Sequence, residues 1–163
     1  MQVHVELENG YLPDAYAKYA EVKEAGNPVV SFPFTVEDLP EGTKYLAWSL
    51  VDYDSIPVCG FAWIHWLVSD VPAVSEIPED FSRKDGGKSG FNSTVSRFLN
   101  EPASVHKGYI GPTPPDKDHD YTLRVYALSE ALDLPEDYYY NDFLRALKGK
   151  TLAAARVDLP SRA

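Results

Sequence analysis

Three ionisable side chains stand where strands should be apolar. In Ser49–Ser69 (SLVDYDSIPVCGFAWIHWLVS), Asp52 and Asp54 close one apolar run, and His65 lies inside the next. A carboxylate or imidazole among Trp, Phe and Leu costs free energy unless a partner compensates. These groups are therefore expected to be paired or to meet a ligand. Two apart on a strand, Asp52 and Asp54 would face the same side, roughly 6.5 Å from one another. If the chain pairs across the loop at Asp54 and Phe61, Asp52 lies opposite Trp63 and Leu50 opposite His65. His65 then shares that face, diagonal to Asp52. A slip of one residue would send it to the other face. The competing account is local: both aspartates only cap the loop by accepting from backbone N–H groups.

His119, in Asp118-His119-Asp120, follows a proline-rich loop and precedes a strand. Acids on both sides favour its protonated form, which suits anion binding. The plainer reading is an exposed loop histidine among charges. His4 and His106 read as surface residues. The chain has no GxxxxGK, no GxGxxG after a strand, no GxSxG and no HExxH, so none of the chemistries those motifs carry is indicated. Cys59 has no base beside it in sequence to mark it as a nucleophile.

The elements that must position these groups read mostly as extended. Val3, Val5 and Leu7 alternate with polar neighbours, the pattern of a half-buried strand. Pro13–Ala25 is predicted as a helix capped by Asp14 and stopped by Gly26-Asn27-Pro28. Val29–Phe34 is a short extended run, and Pro40–Thr43 is a turn. Tyr45–Tyr53 and Phe61–Ser69 are apolar at nearly every position, so both are expected as central strands with both faces covered. Glu76–Gly90 reads as an exposed excursion, and Asn92–Leu99 is left open. Tyr109–Pro115 (YIGPTPP) cannot be regular, because its prolines fix φ and remove donors. Tyr121–Leu128 is predicted as a strand. Asn141–Lys148 is predicted as a helix with Phe143, Leu144 and Leu147 inward and Gly149 as C-cap. Leu152–Leu159 closes the chain as strand or helix.

Composition narrows the class. At 163 residues, 44% of them hydrophobic, the chain is expected to form one domain over residues 1–163. Thirteen prolines and eleven tyrosines, with short apolar runs, favour strands and loops over a helical bundle. A net charge of −10 repels phosphate backbones and anionic lipid heads, so nucleic-acid and polybasic membrane docking are disfavoured. One cysteine excludes an internal disulfide, no signal core follows Met1, and no apolar run is long enough for a spanning helix. A soluble, cytoplasmic protein is the expectation.

Two spaced motifs resemble the phosphatidylethanolamine-binding protein family, in its bacterial Raf-kinase-inhibitor-like YbhB/YbcL-type branch. The first is the family's D-P-D-x-P followed by W-x-H, read here as Asp52-Tyr53-Asp54-Ser55-Ile56-Pro57 and then Trp63-Ile64-His65. The second is G-x-x-P-P followed by H-x-Y, read here as Gly111-Pro112-Thr113-Pro114-Pro115 and His119-Asp120-Tyr121. Pro40–Lys44 and the segment Asp142–Ala153 agree more weakly, so the likeness covers roughly Val29 to Arg156. The chain departs from the pattern at Tyr53, which replaces a proline, at one extra residue before Pro57, and at Asp120, which replaces a common Arg. The missing proline at Tyr53 should loosen the loop framing the pocket, and Asp120 should weaken anion affinity.

The resemblance implies a mainly β fold: two largely antiparallel sheets with a few short peripheral helices. It also implies a small pocket for anions, phosphoryl groups in particular, with Asp52, Asp54, Pro57, His65, Gly111, Pro115, His119 and Tyr121 at pocket positions. The expected function is a non-catalytic binding protein for a small anionic or phosphorylated ligand, with no cofactor and no metal. A phosphorylated side chain of a protein partner is one form that ligand could take, and a homodimer through an exposed edge is left open. Two other readings stand beside it. One is a metal-dependent or acid–base hydrolase using Asp52, Asp54, His65 and His119. The other is an interaction domain whose pocket is vestigial.

Overall fold

The computed structural model describes residues 1–163. The apolar run Tyr45–Asp52 forms strand β5, buried at every position but its first. It is flanked on both sides: by β6 (Trp63–Pro72) and by β9 (His119–Leu128), each antiparallel to it. Outside these lie β8 (Lys88–Ser89) and β10 (Thr151–Ser161), giving a five-stranded sheet of order β10-β9-β5-β6-β8. A second sheet, of order β1-β4-β7, joins Gln2–His4 (β1), Phe34–Glu37 (β4) and Glu76–Ile77 (β7). A two-stranded ribbon, Lys23–Glu24 (β2) with Asn27–Pro28 (β3), completes the strands. Every pairing is antiparallel. The mainly β, largely antiparallel architecture expected from the sequence is the one observed.

β5 is apolar throughout because each face meets a different apolar layer. Leu46, Trp48 and Leu50 join Trp66, Leu123 and Val125 against Phe34 and Val36 from the second sheet and Phe32 just before it. Ala47 and Leu67 on the reverse face pack with Tyr126, Tyr138, Phe143 and Leu147. Phe143 is carried by α3 (Tyr140–Ala146), the only regular helix longer than one turn; α1 (Ile56–Cys59) and α2 (Phe81–Lys84) are single turns. Between the sheets the aromatic rings meet edge to face, with Trp48 and Trp66 centroids 5.2 Å apart. Such contacts contribute about 0.5–1.5 kcal/mol beyond the area they bury.

Several local expectations change. Pro13–Ala25 is not a helix: only Asp14–Tyr16 makes a 3₁₀ turn. Two of its backbone acceptors are taken by side chains, Tyr16 O by the distant Tyr109 Oη and Lys18 O by Lys23 Nζ within the segment. The Asp14 carboxylate binds Arg162 instead of capping. Glu76–Gly90 is not wholly exposed, since it contributes β7, α2 and β8 and buries Ile77 and Phe81. Asn92 caps a 3₁₀ turn at Ser93–Val95 by accepting from Thr94 N. Phe143 in α3 and Leu147 just after it are buried, but Leu144 is exposed. The closing segment is a strand, β10. No helix is long and apolar enough to cross a membrane.

Candidate functional site

Register brings the candidate residues to one end of the five-stranded sheet. Asp52, the last residue of β5, lies opposite Trp63 on β6 and Tyr121 on β9. At that end is a cavity of about 200 Å³, whose polar lining includes Asp52, His65, His119 and Tyr121. Trp63, Ile110, Pro115, Val58 and Cys59 supply much of the remaining wall.

The predicted pairing of Asp52 with Trp63 is present, but Leu50 faces Trp66 rather than His65. A register shift falls between Leu50 and Val51, and Val51 pairs with Ile64, leaving His65 as the extra residue of a bulge. A bulge re-aims the side chain it carries. Here it puts two adjacent residues on one face: Trp66 enters the core between the sheets, and beside it His65 meets Tyr121 of the same cluster edge-on, with ring centroids 4.9 Å apart.

His65 is buried, and its Nδ1 lies 2.7 Å from the Ile110 carbonyl oxygen. A carbonyl only accepts, so Nδ1 carries the proton and Nε2 presents a lone pair. Burial pushes the imidazole down to about 4, against the opposing pull of the Ile110 bond and the Asp52 charge; His119 adds to the downward shift. At neutral pH His65 is therefore uncharged.

His119 is the opposite. Its Nδ1 donates to Asp52 Oδ2 at 2.8 Å and its Nε2 to Asp116 Oδ1 at 2.9 Å. Burial opposes the charged form, but the hydrogen bonds and charges of the two carboxylates outweigh it and raise the pKa. Donation to two carboxylates requires both ring protons, so the ring is an imidazolium. The acids responsible are not its sequence neighbours. Asp118 accepts from Tyr11 Oη and Ala163 N, each at 3.0 Å, while the Asp120 side chain is exposed. Nor is His119 a loop residue: it opens β9, opposite Ser161 of β10.

Asp52 performs both roles that the sequence offered as alternatives. Its Oδ2 holds His119, and its Oδ1 accepts from Ser55 N at 3.0 Å to close the turn. Ser55 Oγ lies 2.8 Å from the Asp52 carbonyl and 2.9 Å from that of Phe61, which share its one proton, and it accepts from Trp63 N, tying the loop at its base. Asp54 does not share a strand face with Asp52, because β5 ends at Asp52. Its Oδ2 accepts from Asp120 N at 2.9 Å and it lies outside the cavity lining, as does Pro57, which is exposed in α1. Gly111 lies behind the wall: its N donates to Pro28 O, and an added Cβ would collide with Tyr16 O and sit 2.7 Å from Pro28 Cβ. Burial, followed by the Asp52 charge, raises the Tyr121 phenol above its usual range. His4 is exposed, and His106 Nε2 meets Glu101 O away from the cavity.

The residue that sequence reasoning missed is Asp116. It stands three positions before His119, a spacing that carries no signal in a loop of unknown path. No group of three or more His, Cys, Asp or Glu side chains is arranged to hold a metal ion.

The sequence pattern of the phosphatidylethanolamine-binding protein family matches residues 4–161. The uncharacterized protein YxkA of Bacillus subtilis is 46% identical to this chain over 99% of both sequences. The crystal structure of CT736 of Chlamydia trachomatis, described as a homologue of that family, superposes with a TM-score of 0.76 at 25% identity, covering 99% of this chain and 97% of the other. Escherichia coli YbcL, described as a member of the mammalian family, gives 0.75 at 27% identity, covering 99% and 98%.

Proposed function

This chain belongs to the phosphatidylethanolamine-binding protein family, and from that premise we infer that its cavity binds a small ligand through a phosphoryl or similar anionic group, without catalysing a reaction. One observation carries the reading: a carboxylate, that of Asp116, already sits on Nε2 of the buried imidazolium at 2.9 Å. Asp116 is half exposed and is not itself part of the cavity lining, but its place on Nε2 marks the ring atom at which an anion is held. A charge-assisted hydrogen bond from a positive donor is among the stronger polar contacts available to a ligand.

The second histidine refines the class. His65 offers a lone pair, not a donor, so the group it meets must bring a proton. A singly protonated phosphate or phosphomonoester presents both an anionic oxygen for His119 and a hydroxyl for His65. A free metabolite and a phosphorylated side chain of a partner protein offer the same chemistry. The non-catalytic part of the reading rests on Asp52, which holds His119 as an imidazolium, and a ring already protonated on both nitrogens cannot act as a base.

The test is a titration of inorganic phosphate and of O-phosphorylethanolamine, followed through the imidazole signals in NMR. Both His65 and His119 signals should move together. Affinity should weaken as pH rises through the raised His119 value, because the cation is lost. For O-phosphorylethanolamine the second ionisation, near a pKa of about 6, acts in the same direction by removing the hydroxyl that donates to His65, whereas inorganic phosphate keeps one hydroxyl after its second ionisation. No shift at tens of millimolar ligand would overturn the reading.

A further inference from the structure

We propose that Asp116 is the specificity-determining residue of this cavity: its carboxylate occupies the anion subsite, and a ligand binds by displacing it. The inference rests on the anion-binding reading above and goes beyond it by assigning what the ligand must outcompete.

The two carboxylates on His119 differ in how they are held. Asp52 is 5% exposed and is also bound to Ser55 N, so it cannot leave without unmaking the turn. Asp116 is 50% exposed and makes no other side-chain hydrogen bond. The loop that carries it is pinned on either side. Lys18 Nζ donates to Pro114 O at 3.0 Å, and Asp118 accepts from Tyr11 Oη and Ala163 N. Asp116 and Lys117 lie between those anchors, so the carboxylate can swing into solvent while the loop keeps its path.

Charge requires an exchange instead of an addition. One imidazolium between two carboxylates already carries a net charge of −1. A third anion would find its only cation fully engaged. Replacing Asp116 by a ligand anion keeps the count of charges facing His119 unchanged.

Selectivity follows. A tethered carboxylate competes at an effective concentration of about millimolar or above, so a free monocarboxylate only swaps like for like and gains little. A phosphoryl group gains more, because it brings a hydroxyl that meets His65. The cavity should therefore discriminate phosphate from acetate, and Asp116 should be the cause.

The experiment titrates inorganic phosphate and acetate into the wild-type protein, Asp116→Ala, Asp116→Asn and Asp118→Asn, reading the His119 imidazole by NMR. Asp118→Asn makes the same change of net charge two residues away without touching His119. Asp52, His65 and Tyr121, the other ionisable groups facing His119, are left in place. Asp116→Ala should bind both anions roughly three- to tenfold more tightly, the size expected for removing a half-exposed competing ion pair. Acetate should gain more than phosphate, narrowing the discrimination, and His119 in the free protein should titrate lower. Asp116→Asn should follow in the same direction and serves if the alanine variant does not fold. Phosphate binding in the wild type that is equal or weaker in Asp116→Ala overturns the displacement while leaving the anion site standing. An equal gain in Asp118→Asn overturns it too, assigning the effect to overall charge. No phosphate binding by any variant overturns both readings together.

Discussion

The two walls of the cavity hold the same residue in opposite states. On the β6 side, His65 comes from an apolar run, donates to a backbone carbonyl and is neutral. On the β9 side, His119 comes from an acidic run, donates to two carboxylates and is cationic. Both are buried, at 4% and 1% exposure, so burial alone does not decide the charge. Partner type does. A carbonyl fixes one proton and leaves the other nitrogen bare, whereas a pair of carboxylates demands both protons. The result is a cavity lined by one charged donor and one neutral acceptor, carried by the two strands that flank β5, which suits a group able to accept and donate at once.

The contrast is most severely tested at Asp52, which anchors only one of the two. Asp52→Ala leaves the His119 imidazolium without its buried counter-ion and Ser55 N without its acceptor. It should cost about 3–5 kcal/mol in urea denaturation, the range for breaking a buried pair from one side. His119 should titrate lower in the same variant. A loss below about 1 kcal/mol would mean that Asp52 does not hold the β9 wall.

The pH dependence separates the walls by sign. His65 is depressed to about 4, so between the unfolded value near 6.5 and pH 4 the unfolded chain takes up a proton that the folded chain refuses. Stability falls as pH drops through that window, by up to roughly 3 kcal/mol. His119 is raised, so its contribution is complete below about 6.5 and is lost as pH climbs through its folded value. Urea denaturation of wild type against His65→Gln from pH 4 to 6.5 isolates the first effect. If the two profiles run parallel over that range, His65 is not held neutral.

Asp54 gives the smallest effect. It joins the turn to β9 through Asp120 N and does not line the cavity. Asp54→Ala should cost only about 0.5–1.5 kcal/mol and leave both histidine titrations where they were. A shifted His119 signal there would extend the charged wall to a residue the geometry places outside it.

How much of this was legible in the sequence varies with the range of the interaction. The strands β5, β6 and β9 were readable, because unbroken apolar runs bounded by Pro and Gly can only be buried from both faces. The α3 helix was readable from its periodicity, apart from Leu144. The 13–25 segment misled, since its helical reading ignored acceptors claimed by Tyr109 and Lys23 and a carboxylate claimed by Arg162. At the site, the motif residues Asp52, His65, Pro115, His119 and Tyr121 converge on the cavity, while Asp54, Pro57 and Gly111 stand outside its lining.

By itself the sequence determined which residues could not remain unpaired, the central strands, and the two motifs that resemble the family. Only the tertiary structure decided who pairs with whom. The acids beside His119 in sequence point elsewhere, and its partners come from the end of β5 and from Asp116 in the preceding loop. The bulge at His65 decided its direction, and the Ile110 carbonyl decided its proton. Protonation depends on the few atoms within hydrogen-bond reach of a ring. Sequence adjacency does not place those atoms once the chain has turned back on itself.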